Sequence, residues 1–169
     1  AVTLTVTDPS GNNDNCSATV TIQDNTAPTA ICQNVTIQLN AAGSASTTAN
    51  DVDNGSNDAC GVSGLSLSQA TFNCSEAGNN VETLTVSDAS GNDGTCAVQI
   101  TVQDNIAPIA ICQDITLQLN SGGTATTTAT AIDNGSNDAC GIGSLTLSQT
   151  TFVCAEVGAN TETLTVEDN

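Results

Sequence analysis

The sequence contains no Lys, no Arg and no His against 18 acidic residues, which sets its formal charge at −18 at pH 7. Without a cationic side chain it has no means of neutralising phosphates, so nucleic acid is excluded as a partner. Ordinary salt bridges, Schiff-base lysines, histidine general bases, Ser-His-Asp and Cys-His arrangements and Lys–Asn isopeptide crosslinks fall with the same absence. The expectation is a protein that is not an enzyme. Trp, Tyr and Met are also missing, and Phe72 and Phe152 are the only aromatics, so any core has to be assembled from Val, Ile, Leu, Ala and Cys. No apolar run approaches the ~18 residues that a membrane-spanning helix requires, so no membrane insertion is expected.

What the chain does contain is Thr, Ser, Asn, Asp and Gly in abundance, a composition that favours strands and turns over helices. Eight cysteines in 169 polar residues point to an oxidising compartment, since a cytosolic protein would keep them reduced. No signal peptide is visible. The chain reads as an internal piece of a secreted, cell-surface or extracellular protein.

Self-comparison is the most informative step. Shifting the sequence by 80 residues aligns TAPTAICQNVTIQLN from Thr26 with IAPIAICQDITLQLN from Ile106, and 40 of 64 positions are identical between 26–89 and 106–169. Residues 1–25 match 81–105 at 13 of 25 positions. The expected organisation is therefore the C-terminal part of one repeat at 1–25, a complete repeat at 26–105, and an incomplete repeat at 106–169 that lacks its last strand. Neighbouring repeats of the same chain are the first expected partners.

Within 26–105, alternation marks the strands. Val35, Ile37 and Leu39 share one face of a first strand, and Ala45, Thr47 and Ala49 one face of a second. Leu65 and Leu67 mark a third, Phe72 and Cys74 a short fourth, Leu84 and Val86 the next. Cys96, Val98, Ile100 and Val102 are in phase along the last. Asp88-Ala89-Ser90-Gly91-Asn92 is a hairpin turn, and no segment has helical periodicity. About seven short strands with turns every ~8–12 residues is the pattern of an all-β, immunoglobulin-like antiparallel β-sandwich, repeated in tandem with an 80-residue period.

The complete repeat holds Cys32, Cys60, Cys74 and Cys96, and four cysteines allow three pairings. The preferred scheme joins Cys32 to Cys96, clipping the first strand to the last where they run parallel, and Cys60 to Cys74 around a local loop, with Cys140 to Cys154 following in the next repeat. Cys16 and Cys112 are then left over. A rival scheme joins Cys16 to Cys32 and Cys96 to Cys112 across the junctions. It conflicts with the span of the last strand, roughly 25 Å at ~3.3 Å per residue, where a disulfide needs Cα atoms within ~7 Å, unless strands are exchanged between repeats. A Cys₄ zinc site lacks its usual CxxC pairs.

The longest identical stretch is a loop, Asp53-Asn54-Gly55-Ser56-Asn57-Asp58-Ala59-Cys60-Gly61, which recurs from Asp133 to Gly141. Aspartates with Asn and Ser on a tight turn offer hard oxygen ligands of the kind calcium takes, although the loop is not an EF-hand. An Asx-rich turn bonded to its own backbone explains the same residues. Sandwich topology would bring Asp53, Asn54 and Asp58 towards Asp88 and the linker residues Asp24 and Asn25. At the next junction the set is Asp104, Asn105, Asp133, Asn134, Asp138 and Asp168. With no cation in the chain, these carboxylates either stay apart in solvent or share an external ion, and calcium is the expected cofactor. Linkers followed by Pro28 and Pro108 are expected to be semi-rigid.

Four features together resemble HYR-type immunoglobulin-like repeats: Ala27-Pro28 before Cys32, the D-N-G-S-x-D-x-C-G loop from Asp53, T-L-T-V-x-D-x-x-G-N from Thr83 to Asn92, and the late Cys96. They are most similar to the tandem repeats of giant surface adhesins of gliding Bacteroidetes. The resemblance implies a structural module of a secreted adhesin or extracellular filament, used in adhesion or gliding. It implies no catalytic residue. The alternatives are a module that itself binds a glycan or surface, which the poverty of aromatics disfavours, and a filament subunit whose copies associate laterally or exchange strands.

Overall fold

The structure, a computed structural model, describes residues 1–169 and is mostly β. β1 (Val2–Thr7) and β2 (Asn13–Ala18) form an antiparallel hairpin of their own. Residues 26–105 carry β3 (Val35–Gln38), β4 (Ser44–Ser46), the helical turn α1 (Ala49–Val52), β5 (Val62–Leu67), β6 (Thr71–Asn73), a 3₁₀ turn (Cys74–Glu76), β7 (Gly78–Asp88) and β8 (Asp93–Gln103). Residues 106–169 carry β9 (Thr124–Thr126), α2 (Ala129–Ile132), β10 (Ile142–Leu147), β11 (Thr151–Val153), a second 3₁₀ turn (Cys154–Glu156) and β12 (Leu164–Asp168).

In the middle segment, β3, β8, β7 and β5 form one four-stranded sheet in that order, and β4 pairs with β6 in a second. β7 runs antiparallel to both β8 and β5, while β3 runs parallel to β8 with Val35 opposite Ile100 and Ile37 opposite Val102. Alternation along β8 turns Val98, Ile100 and Val102 inward, where they meet Leu84 and Val86 of β7, Leu39, Val52 of α1 and Phe72 of β6. These eight side chains are the buried core. Each fully buried aliphatic of this size contributes about 1.5–3 kcal/mol, and the inward phase of β8 that alternation gives in the sequence is the phase found.

Two elements depart from the sequence reading. The strand expected to continue through Ala49 ends at Ser46, and Ala49–Val52 is a single helical turn. Its cause is local: the Thr48 backbone N–H and hydroxyl both donate to the Asp51 carboxylate, at 2.8 and 2.7 Å. The cap holds the Asp51 carboxyl below the usual carboxylate range, chiefly through the Thr48 hydroxyl. In α2 the acid is replaced by Ala131, and the Thr128 hydroxyl accepts from the Ala131 N–H instead. The other departure is the Cys74 segment, which leaves the strand at Asn73 and turns as a 3₁₀ helix with the Glu76 carboxylate accepting from the Asn73 N–H.

The hairpin at Asp88 matches its sequence reading. The Asp88 carboxylate accepts from the N–H groups of Ser90 and Asn92 and from the Asn92 side chain, at 2.9, 2.8 and 2.8 Å, and Gly91 takes the left-handed φ of 87° that the turn requires. Asp8 makes the same three bonds in the β1–β2 turn.

The last segment repeats the elements of the middle one from β4 to β7. β10 pairs with β12 and β11 with β9, but residues 115–118, the counterpart of β3, form no strand. β3 takes its backbone hydrogen bonds from β8 alone.

Candidate functional site

Two features of the sequence carry chemistry here, the cysteines and the linker carboxylates. Cys32 and Cys96 are joined, with Cα atoms 6.1 Å apart, at the start of the parallel β3–β8 pair, as the sequence reading expected. The other two expected bonds are not found. Cys74 joins Cys140, not Cys60, with Cα atoms 5.1 Å apart and 66 residues between them in sequence, so the expected Cys60–Cys74 and Cys140–Cys154 bonds are both replaced. The reason is where the 3₁₀ turn points. The Cys74 sulfur lies over the Gly43 and Ala139 carbonyls, at 3.6 and 3.4 Å, which faces it towards the last segment rather than towards Cys60 in its own. A Cβ at Gly43 would stand 2.6 Å from that sulfur, so the glycine makes room for the crosslink. Cys16, Cys60, Cys112 and Cys154 are free and exposed.

The carboxylates divide between two environments. Asp53 and Asp133 serve their own loops: each accepts from the N–H groups two and three residues on, and the Ser56 and Ser136 interactions chiefly hold their carboxyls low. Asp88 is buried in its hairpin turn, where Asn92 chiefly lowers its pKa. Asn54 and Asn134 use their backbone N–H groups on Ile31 and Ile111 at 2.8 Å each. Asn105 donates to the Gln38 side chain, and Asp168 accepts from the Asn169 N–H at 2.8 Å. Asp53, Asp88, Asp133 and Asp168 belong to no shared cluster of acidic and cysteine ligands.

Asp24 and Asp58 do come together, with Cys60 as a third member, and their ligand atoms lie within 4.8 Å of one another; Asp104, Asp138 and Cys140 repeat the arrangement at the next linker. Asp24 and Asp104 each spend one carboxylate oxygen on the N–H two residues on, at 3.0 Å. The other oxygen of each is buried with no hydrogen-bond partner. Asp58 and Asp138 accept from the Cys60 and Cys140 N–H groups at 2.7 Å. Asn25 lines a small hollow beside Asp24 with Ser90 and Asn92, and the Asn92 side chain donates to the Asp24 carbonyl at 3.2 Å.

The Cys60 thiol is pushed up, first by the Asp24 carboxylate beside it, then by desolvation and by the charges of Asp58 and Asp88. Sequence reasoning missed the cysteines as members of these clusters. The signal was their place two residues after Asp58 and Asp138.

An all-β, disulfide-bonded chain with paired acidic linkers is the class that these observations define. No protein-family model, curated protein or solved structure matches it. No helix is long and apolar enough to cross a membrane, and the two disulfides are consistent with an extracellular setting.

Proposed function

We propose that this chain is a structural module of a long extracellular adhesin or filament, made of immunoglobulin-like units at an 80-residue period. In this reading the units are clamped to one another covalently and stiffened at their junctions by calcium. The observation that carries it is the Cys74–Cys140 bond, which ties the middle segment to the last one instead of closing a loop inside either. A crosslink between the two segments limits how far they can be drawn apart under tension, which a bond closing a local loop inside either would not do. The resemblance to HYR-type surface repeats points the same way.

Calcium rests on the two linkers. Each has a buried carboxylate oxygen without a partner, on Asp24 or Asp104, beside a second carboxylate, Asp58 or Asp138. Hard oxygens suit a calcium ion, and at the second linker Cys140 is already spent in the disulfide, so oxygen is the only ligand type left there. Asp104 and Asp138 would hold the ion at one junction and Asp24 and Asp58 at the other. Bound there it would supply the positive charge that the side chains omit.

Single-molecule pulling tests the reading. The oxidised chain should extend between residues 32 and 140 only along the path through both disulfides, and reduction, which opens Cys32–Cys96 as well as Cys74–Cys140, should add about 270 Å, some 86 residues at ~3.3 Å each less the span of the two bonds. Calcium should raise the unfolding force and the melting temperature relative to chelator, an effect lost in Asp104→Asn with Asp138→Asn. Full extension of the oxidised chain at low force would refute the role in carrying tension. Indifference to chelator would refute the metal.

A further inference from the structure

We propose that Asn54–Gly55 and Asn134–Gly135 are sites of self-catalysed deamidation, in which the glycine nitrogen closes on the asparagine side chain while Asp53 or Asp133 takes its proton. The product adds a carboxylate to the loop that also carries Asp58 or Asp138. The inference depends neither on calcium nor on a role in adhesion.

These are the two Asn-Gly pairs of the sequence, and both stand in the loop that recurs unchanged from Asp53 to Gly61 and from Asp133 to Gly141. Asn54, Gly55, Asn134 and Gly135 are all exposed. The loop is nonetheless pinned to the chain beside it. The Asn54 N–H donates to the Ile31 carbonyl at 2.8 Å, the Ser56 hydroxyl accepts from the Ile31 N–H at 2.9 Å, and Asn57 and Thr29 exchange two backbone bonds of 2.8 and 3.1 Å. Asn134, Ser136 and Asn137 make the same contacts with Ile111 and Ile109. The backbone around each asparagine is therefore held while the asparagine itself faces solvent.

Within that frame the preceding acid reaches the nucleophile. The Gly55 N–H donates to Asp53 Oδ2 at 3.2 Å, and the Gly135 N–H to Asp133 Oδ2 at 3.4 Å. The other oxygen of each carboxylate accepts from the Ser56 or Ser136 N–H, at 3.1 and 3.0 Å, which fixes the direction of the side chain. A peptide N–H lies in the plane of its peptide, whereas the nitrogen attacks through a face of that plane, so the bond to the acid leaves the attacking face open. Gly55 and Gly135 hold left-handed φ values of 86° and 90°, a conformation that glycine adopts without strain. The attacking nitrogen thus belongs to a residue with no side chain to shield it. In a chain without Lys or His, a carboxylate is the base that can be set at this point.

The chemistry needs only water. The Gly55 nitrogen forms a bond to Asn54 Cγ as its proton passes to Asp53 Oδ2. The Cγ–Nδ2 bond then breaks, and the departing nitrogen takes the proton from Asp53 and leaves as ammonia, which restores the carboxylate and closes a succinimide ring. Water adds to one of the two ring carbonyls and the adjoining ring C–N bond breaks. Opening on one side gives aspartate and on the other isoaspartate, which carries an extra methylene in the backbone. Asp133, Asn134 and Gly135 repeat each step. Holding the reacting atoms together removes much of the entropic barrier to ring closure, and a positioned base contributes about a hundredfold or more. Asp93–Gly94 offers a comparable pair of residues in a setting that blocks the reaction: both are paired in the β7–β8 ladder, with Ser87 and Val86.

The test incubates the folded, oxidised chain at neutral pH in ¹⁸O-water and follows it by mass spectrometry after pepsin digestion in acid, where amide loss is slow. The expected result is uptake of one ¹⁸O atom at Asn54 and one at Asn134, as mixed aspartate and isoaspartate, with the other asparagines intact. The folded chain should react faster than the same chain unfolded in urea, because folding is what places the acid. Asp53→Asn keeps an oxygen that accepts the two N–H bonds but cannot take a proton, so it should slow loss at Asn54 by about a hundredfold. Asn134 in the same molecule should keep its rate, and Asp133→Asn should reverse the pattern. An Asp53 that only braced the loop would give the opposite sign, since a loosened loop lets Asn54 react faster. Retention of both amides, loss spread evenly over the asparagines, a folded chain no faster than the unfolded one, or an Asn54 rate unchanged or raised in Asp53→Asn would each overturn the proposal.

Discussion

Replacing both Cys32 and Cys96 by Ala removes the crosslink that spans the middle unit, with Cys74–Cys140 left intact. The bond closes a 64-residue separation, and the loop-entropy relation puts the stabilisation of such a loop at about 4.3 kcal/mol at 25 °C. A domain near 80 residues has only about 4–12 kcal/mol of net stability, so the bond contributes from a third of it to nearly all. In melting temperature the loss is about 20–30 °C, at roughly 4–8 °C per kcal/mol for a domain of this size. Ala at both sites avoids leaving an unpaired polar group beside the core. The assay is a thermal melt followed by circular dichroism in the strand band, with the four free thiols alkylated beforehand so that exchange cannot restore a crosslink. A fall of less than about 8 °C, roughly 2 kcal/mol at most, would mean that the core of eight side chains sustains the fold by itself. It would refute the view that the crosslink compensates for a core with one aromatic.

Two further outcomes follow from the geometry. Gly94→Ala should cost about 1–3 kcal/mol in urea unfolding, because its Cβ would press on the Pro28 carbonyl, which is backbone and cannot swing aside; Gly64→Ala, with nothing within 4 Å of its Cβ, should change stability little. Acid should destabilise the protein in a defined window. Asp8, Asp53, Asp88 and Asp133 all have folded pKa values lowered by hydrogen bonds from their own turns, so their contribution is full above the unfolded carboxylate value near 4 and is lost as pH falls below it. A melting temperature that rose on acidification below pH 4 would contradict this, and Asp88→Asn should flatten the dependence.

The strands were legible because their signal is strictly local. Cys96, Val98, Ile100 and Val102 repeat every second residue, and a period of two needs no tertiary knowledge. The Asp88 hairpin was legible for the same reason, since its Asp, Ser, Gly and Asn satisfy one another within five positions. Three things were not, or not fully. The helical turn at Ala49 is a single turn capped by Thr48, and it recurs at Ala129 under Thr128 without the acid, so it is too short to generate any periodicity. The crosslinks were half legible: Cys32–Cys96 followed from strand direction. Cys74–Cys140 depends on which way a 3₁₀ turn aims one sulfur across a junction, and spacing in the chain carries no information about that. The site carboxylates failed in a similar way. Asp53 and Asp133 sit in the most repeated loop, yet that loop bonds to itself, and the residues left open are the less conspicuous Asp24 and Asp104 in the linkers.

The carboxylates also explain how a chain with 18 acidic residues and no cationic side chain holds together. Asp8, Asp51, Asp53, Asp88, Asp133 and Glu156 face N–H or hydroxyl donors of their own turn, so their charge stabilises local backbone geometry and needs no counter-ion. Turn N–H groups do here what Lys and Arg do in ordinary proteins, at sites where the charge is matched residue by residue. That device fails at Asp24 and Asp104, where the chain offers each acid a single N–H. Asp24 and Asp104 are therefore left with one oxygen each that is buried and unmatched. Asp24 and Asp104 also lie beside a second carboxylate, Asp58 and Asp138, and the Cys74–Cys140 bond ties residues on the two sides of the second linker against that like-charge repulsion. An ion at the linkers would be a second answer to the same repulsion, so removing calcium and reducing the disulfide should weaken the junction more than additively.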